Sequence, residues 1–347
     1  MPPPGPPDTT WTATESSRLV RAVGRAPVWG GMRPWTLSLD RRTALLHEMP
    51  GSLSDTHSDA GALRGGLMSC GAAVTNLRLA IRSTGWNTTL EFVTRPSGSD
   101  VLAVARADRY REPTVGQLAQ YHAIDHVDHE RRAPRPRPTD PLVARRLTTA
   151  QWCPGVRLHA LADPRDAAVL ATLVAHAGRY AEGPEGLIEE IAAWTGASAR
   201  GGATAVRAGA SVDPAVSGTE PSAGPYPGPL GRSPAGSSVG SHLSALCAAA
   251  ARIASEQVFL VLTEGDGRVD QMLAGCAVQS ARLAAHGMGV VATPVLALLH
   301  QAEVRAALLE TLGLAGVPQA LLRVSRIARP HDPATAAGHG SAAHQSG

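Results

Sequence analysis

The sequence predicts an α+β protein assembled from two related halves. Three observations carry this. Helical and strand-like segments are mixed without a regular βαβ order, which argues against a doubly wound parallel sheet. Two long amphipathic segments, one early and one late in the 347-residue chain, align with each other without a gap. Each ends on a glycine and runs straight into a β-type stretch.

The elements follow from spacing. Leu63 to Ser83 is helical, with Leu67, Val74, Leu77 and Ile81 recurring near one face and Gly85 beyond its end. Thr88 to Thr94 alternates and reads as a strand. Pro164 to His176 is a helix opened by Asp163 as N-cap, with proline at the first helical position. Leu187 to Thr195 reads as a short helix. Gln257 to Leu262 is an apolar, branched run of strand length. Asp270 to His286 and Glu303 to Leu312 are helical, and Ala320 to Val324 is a closing strand.

Composition marks the borders. Residues 1–16 and 327–347 read as disordered ends, because their Pro-rich or Ala/Gly/His/Ser-rich runs bury too little surface to offset ordering entropy. The first half is placed at 17–130 and the second at 131–326. Arg131 to Pro141 alternates Arg with Pro and suggests an extended connector. Asp213 to Ser241 is dense in Gly, Pro and Ser, and a loop of that length inside a domain suggests either a lid or plain disorder.

Several chemistries drop out early. The net charge of +3 is too small to argue for nucleic acid. All 32 basic residues are arginine, so there is no Walker A lysine, no Schiff-base lysine and no Ser-x-x-Lys pair. A phosphate would have to be held by Arg, by backbone N–H groups or by a helix N-terminus. Cys70, Cys153, Cys247 and Cys276 form no CxxC pair and read as small buried hydrophobes. No apolar run reaches the roughly 18 residues of a membrane span, and the N-terminus lacks a signal-peptide pattern. The expected location is therefore cytoplasmic.

The repeat is the most informative feature. Cys70-Gly-Ala-Ala-Val-Thr-Asn-Leu-Arg-Leu-Ala-Ile-Arg-Ser-Thr-Gly85 lies over Ala274-Gly-Cys-Ala-Val-Gln-Ser-Ala-Arg-Leu-Ala-Ala-His-Gly-Met-Gly289. Gly71/Gly275, Ala73/Ala277, Val74/Val278, Arg78/Arg282, Leu79/Leu283, Ala80/Ala284 and Gly85/Gly289 are identical. Small residues in the early turns would let two such helices approach closely across a pseudo-twofold axis.

Four pieces occur in order: Arg25-Ala-Pro with Pro34-Trp35, Gly71-Ala-Ala-Val-Thr-Asn-Leu-Arg-Leu-Ala, Leu260-Val-Leu-Thr263 and Leu312-Gly-Leu-Ala-Gly-Val-Pro-Gln-Ala-Leu-Leu-Arg323. Together they resemble the Acg-type branch of the nitroreductase superfamily, in which two nitroreductase-like halves are fused. The resemblance implies a mixed sheet flanked by helices, FMN in the cleft between halves, and a chain that acts as its own dimer. It further implies hydride transfer from NAD(P)H through the flavin to a nitro or quinone-like acceptor, under a lid.

The same resemblance nominates the site. The family's first motif, Ala-Pro-Ser-x-x-Asn-x-Gln-Pro-Trp, corresponds to Ala26 through Trp35, with Val28, Gly31 and Arg33 at its flavin-contacting positions. Arg33, Gly31 and Trp35 are thus expected near the cofactor. Its Arg-rich phosphate segment corresponds to Val127 through Pro134, where Arg131 and Arg132 match and the leading Arg has become Val127. Arg323 and Arg326 are expected near the phosphate. Polar contacts to flavin are thinned, which admits an alternative: a non-catalytic relative that sequesters flavin or has lost it. A more distant alternative is a His-ligated metalloenzyme. His122, His126 and His129 interleave with Asp125 and Asp128, and His122 and His126 would share a helical face.

Overall fold

The computed structural model describes residues 10–29, 33–53, 60–94, 99–127, 140–149, 153–179, 247 and 250–326. The expected helix at Leu187 to Thr195, the lid at Asp213 to Ser241 and the tail at 327–347 lie outside the described residues.

The architecture is α+β. The first half runs α1 (Ala13–Gly24), β1 (Trp35–Asp40), β2 (Thr43–Glu48), α2 (Ala60–Ser83), β3 (Trp86–Phe92), β4 (Val101–Tyr110) and α3 (Val115–Ala123). The second runs α4 (Pro141–Thr149), β5 (Val156–Leu161), α5 (Pro164–Arg179), β6 (Gln257–Thr263), α6 (Arg268–Gly287), β7 (Val290–Val295), α7 (Ala302–Leu312) and β8 (Val317–Arg326). The chain enters the fold earlier than composition suggests. Thr12 and Glu15 form a capping box for α1, and the Trp11 N–H donates to the Arg41 carbonyl at 3.1 Å. The border expected after residue 16 therefore falls inside a helix.

One mixed sheet was expected; the described strands form two four-stranded sheets, ordered β1-β2-β4-β3 and β5-β6-β8-β7, with every pairing antiparallel. The reason is topological. In each half a helix carries the chain from the second strand to the third, but the fourth strand then inserts between them. Strands that point the same way are thus never neighbours. The β2–β4 and β6–β8 pairings share an irregularity, with register shifts between Leu46/His47 and between Val261/Leu262, whereas the shift at Trp86/Thr88 in β3–β4 has no counterpart in β7–β8. α5 and α7 are additions confined to the second half.

The two long helices cross at the centre of the molecule. A Cβ on Gly71 would overlap the carbonyl oxygen of Met272, and one on Gly275 would overlap that of Met68. These are reciprocal contacts, since the repeat that pairs Gly71 with Gly275 also pairs Met68 with Met272. Across the contact the Cys276 thiol donates to the Gly71 carbonyl at 3.1 Å, and the Thr75 hydroxyl donates to the Cys276 carbonyl at 3.2 Å. Both helices terminate alike, on Gly85 and Gly289 at φ +90° and +68°, where a side chain would be strained.

The same offset pairs Arg64 with Arg268, and each reaches into the other half. Arg64 makes a two-pronged pair with Asp266 at 2.8 and 2.9 Å and bonds the Gln319 side-chain oxygen. Arg268 pairs with the buried Glu48 at 2.9 Å. The main core packs α2 and α6 between the facing sides of the two sheets, and a second cluster fills the space between β5–β8 and α5 with α7. Three cysteines are buried free thiols as expected, but Cys247 is exposed. Among the described residues no helix is long and apolar enough to cross a membrane.

Two outcomes follow from this crossing. Gly275→Ala is expected to lower stability by about 3 kcal/mol, as for overpacking, read as a fall in the urea midpoint. Gly287→Ala on the same helix meets nothing within 4 Å, and is expected to be neutral or stabilising by up to about 1 kcal/mol. Burial alone would push the Asp266 carboxyl up, yet the hydrogen bonds and charge of Arg64, with Gln319 and Gln271, hold it below its ordinary 3.8. Its stabilisation is present above that value and is lost as pH falls through the lower folded value. Asp266→Asn should therefore flatten the acid limb of a stability-against-pH curve below about pH 4.

Candidate functional site

The turn that follows α1 leaves the first half and faces the edge of the second sheet. Between them lies a cavity of about 520 Å³, walled by Gly24 to Val28 and Arg33 on one side and by β7 from Val290 to Pro294 on the other. Val127 and Arg282 complete it. The volume falls within the roughly 300–1,000 Å³ of small-molecule sites.

Local structure explains why these groups meet. The Trp29 N–H donates to the Ser69 hydroxyl of α2 at 2.8 Å, pinning the turn to the central helix. Arg33 donates to the Gly24 carbonyl at 2.9 Å and stacks its guanidinium 5.7 Å from the Trp35 ring, so the turn closes on itself. Arg282 extends from α6, with its guanidinium 6.0 Å from the Trp29 ring and one nitrogen donating to the Gln279 side-chain oxygen at 2.9 Å. Pro294 and the edge position of β7 leave that strand open toward the cavity.

The lining is cationic and apolar. Arg25, Arg33 and Arg282 contribute charge, Val28, Val127, Val290 and Val291 contribute apolar surface, and among the described residues no lining side chain is a carboxylate. Nearby Asp125 is engaged by Arg21 at 2.5 Å and more loosely by Arg25 at 3.8 Å. A cleft lined by one sign of charge with low-dielectric walls concentrates the field on an incoming anion. The arrangement suits a ligand with an anionic group and a flat apolar body.

The structure separates the residues nominated from sequence. Arg33 lines the cavity. Arg326 sits directly opposite Val290 in the β7–β8 register but does not itself line the cavity. Trp35 is buried in the core and supports Arg33 from beneath, without lining the cavity itself. Arg323 points to the other face of its sheet and is consumed by Glu256 in a bidentate pair at 2.6 and 2.6 Å, both groups buried. Gly31, Arg131 and Arg132 lie outside the described residues.

Sequence reasoning did not nominate Arg282, although the repeat had already aligned it with Arg78. It also passed over Arg25, whose place in the first motif was visible. The β7 wall carried no signal, because only the tertiary fold brings that edge to the α1 turn.

The histidine cluster comes apart. α3 ends at Ala123 with Ile124 as its cap, so His122 and His126 do not share a helical face. His126 instead stacks on His286, with ring centroids 5.9 Å apart and planes within 7°. Among the described residues no group of three or more His, Cys, Asp or Glu could hold a metal ion; Asp128 and His129 lie outside them. Compared with models of known protein families and with curated protein sequences, the chain matches none.

The Arg323–Glu256 pair predicts a stability effect separate from the cavity. Arg323→Met should lower stability by about 3–5 kcal/mol, because it strands a buried carboxylate. Adding Glu256→Leu should restore most of that loss in the same urea titration.

Proposed function

We propose that the cavity holds FMN and that the chain is a nitroreductase-like flavoprotein whose two fused halves replace a homodimer. One observation carries the proposal. The segment resembling the family's first flavin motif, the leading position of its phosphate segment (Val127) and a strand edge from the other half converge on a single cavity. The family resemblance implies a cofactor between the halves. The matched strand orders and the reciprocal glycine contact support descent of the halves from one repeated unit.

The residues present fit such a group. Three arginines can take a phosphate monoester and a polarised ring carbonyl, and arginine is the side chain best shaped to do so. The four valines offer a dry wall for a planar ring system and limit water near it. When bound, the flavin supplies hydride chemistry between NAD(P)H and a nitro or quinone-like acceptor. The chain's own contribution is binding, orientation and a positive field. Among the described lining residues the polar side chains are Arg25, Arg33, Arg282 and Thr293.

A second reading is favoured by Val28 and Val127, which stand where the family places hydrogen-bonding or cationic side chains. The chain would then hold flavin without turning it over. Absorbance decides between the two. Purified protein, or protein given FMN and desalted, is expected to be yellow with a band near about 450 nm. Bleaching by NAD(P)H with turnover of a nitroaromatic or quinone supports the oxidoreductase, and retained colour without turnover supports the holding protein. Colourless protein after FMN addition defeats both.

A further inference from the structure

Arg282 enters the cavity at the end of a buried chain of amides. Its Nη1 donates to Oε1 of Gln279 at 2.9 Å. Nε2 of Gln279 donates to Oδ1 of Asn76 at 3.0 Å, and Nδ2 of Asn76 donates to the Ala22 carbonyl at 2.9 Å. Asn76 is fully buried and Gln279 is 2% exposed. Ala22 lies in the last turn of α1, just before the stretch that forms the opposite cavity wall. The chain therefore starts at one wall, crosses the α2–α6 contact and ends on a cation in the other wall.

Two features argue that this chain orients Arg282 rather than merely filling space. Amide groups at a helix crossing are poorer packing than aliphatic ones unless every group is bonded, and here each amide both donates and accepts. The chain also breaks the internal symmetry. The positions equivalent to Gln279 and Asn76 are Thr75 and Ser280, and both donate to the Cys276 carbonyl, at 3.2 and 2.8 Å, instead of to each other. The relay is thus built toward the cavity side only. The Trp29 face, 6.0 Å from the guanidinium carbon, supports the group from a second direction.

We propose that Arg282 anchors the oxyanion of the cavity's ligand, a phosphate monoester, and that Gln279 and Asn76 are positioning residues that aim it. The identity of that ligand as FMN rests on the function proposed above, but the anchor does not. The test is calorimetric titration of the full chain at low ionic strength with inorganic phosphate and, separately, with FMN. Both are expected to bind, and Arg282→Met to weaken each by about tenfold or more. Gln279→Met keeps the charge yet is expected to weaken both by about tenfold. The double variant should be no weaker than Arg282→Met alone, because one residue acts through the other. Additive losses, or unchanged binding in Gln279→Met, overturn the positioning role. Where Gln279→Met fails to fold, the isosteric Gln279→Glu sets a carboxylate against Arg282, and undiminished phosphate binding there overturns the anchor. FMN held equally by wild type and Arg282→Met overturns the anchor while the flavin proposal stands. Phosphate bound through Arg282 without FMN uptake does the reverse, and binding of neither overturns both.

Discussion

The close crossing of α2 and α6 at Gly71 and Gly275 is the constraint on which the rest of the molecule depends. Two helices whose backbones nearly touch cannot slide or rotate independently, so the halves acquire one relative placement. That placement lets Arg64 and Arg268 reach carboxylates across the interface. It also sets the α1 turn against the β7 edge, and so makes the cavity. Glycine does this work through absence. The close approach is available only where no Cβ intervenes, and the sequence supplies that at two equivalent positions.

Where the halves depart from each other is as informative as where they agree. At the end of α2, Arg82 is buried and donates to the carbonyls of Trp86, Arg111 and Glu112 at 2.9 to 3.0 Å. It closes the space between strand ends and α3. The equivalent position at the end of α6 is His286, which stacks on His126. A long donor fork has been replaced by a flat ring, and the cationic cavity lies on that side. On the opposite side, Cys153 is buried next to Arg78, the counterpart of Arg282. Its burial pushes the thiol up, keeping it neutral and apolar in character. A buried thiol stands beside Arg78, whereas its counterpart Arg282 lines an open cationic cavity.

The helices α2, α5, α6 and α7 and the strands β3, β6 and β8 were legible because their signal is local, whereas α1, α3 and α4 were not read. Leu67, Val74, Leu77 and Ile81 recur at helical spacing, and the Gln257 run is too short and too branched for a helix. Sheet order was not legible, since β4 inserts between β2 and β3 through pairing that no local pattern records. The N-terminal border was misjudged for a similar reason: composition outweighed a capping box of only two residues, Thr12 and Glu15. Arg33, which lines the cavity, was nominated because its neighbours Pro34 and Trp35 resemble the motif. Arg323 looked like a phosphate ligand from its motif, but its partner Glu256 lies far along the chain and only the β6–β8 register unites them. Gln319, in the last of the matched pieces, bonds Arg64 at the interface between halves, a partner that lies in the other half.

That last point bears on why the cavity should bind anything well. Its walls come from both halves, so a ligand within it gains contacts that exist only while the halves are docked. In many two-part sites the ligand must supply the docking free energy, and apparent affinity falls accordingly. Here the docking is already secured by the glycine crossing, by the Arg64–Asp266 and Arg268–Glu48 pairs and by the buried amide chain. The arginines are held in place beforehand as well, Arg33 by Gly24 and Trp35 and Arg282 by Gln279 and Trp29. Little rotamer freedom remains to be lost when an anion arrives, which is the condition under which charge-assisted hydrogen bonds convert into affinity. Binding there would in turn stabilise the contact between halves, because the cavity's walls come from both. Since both walls belong to one chain, that coupling does not depend on protein concentration.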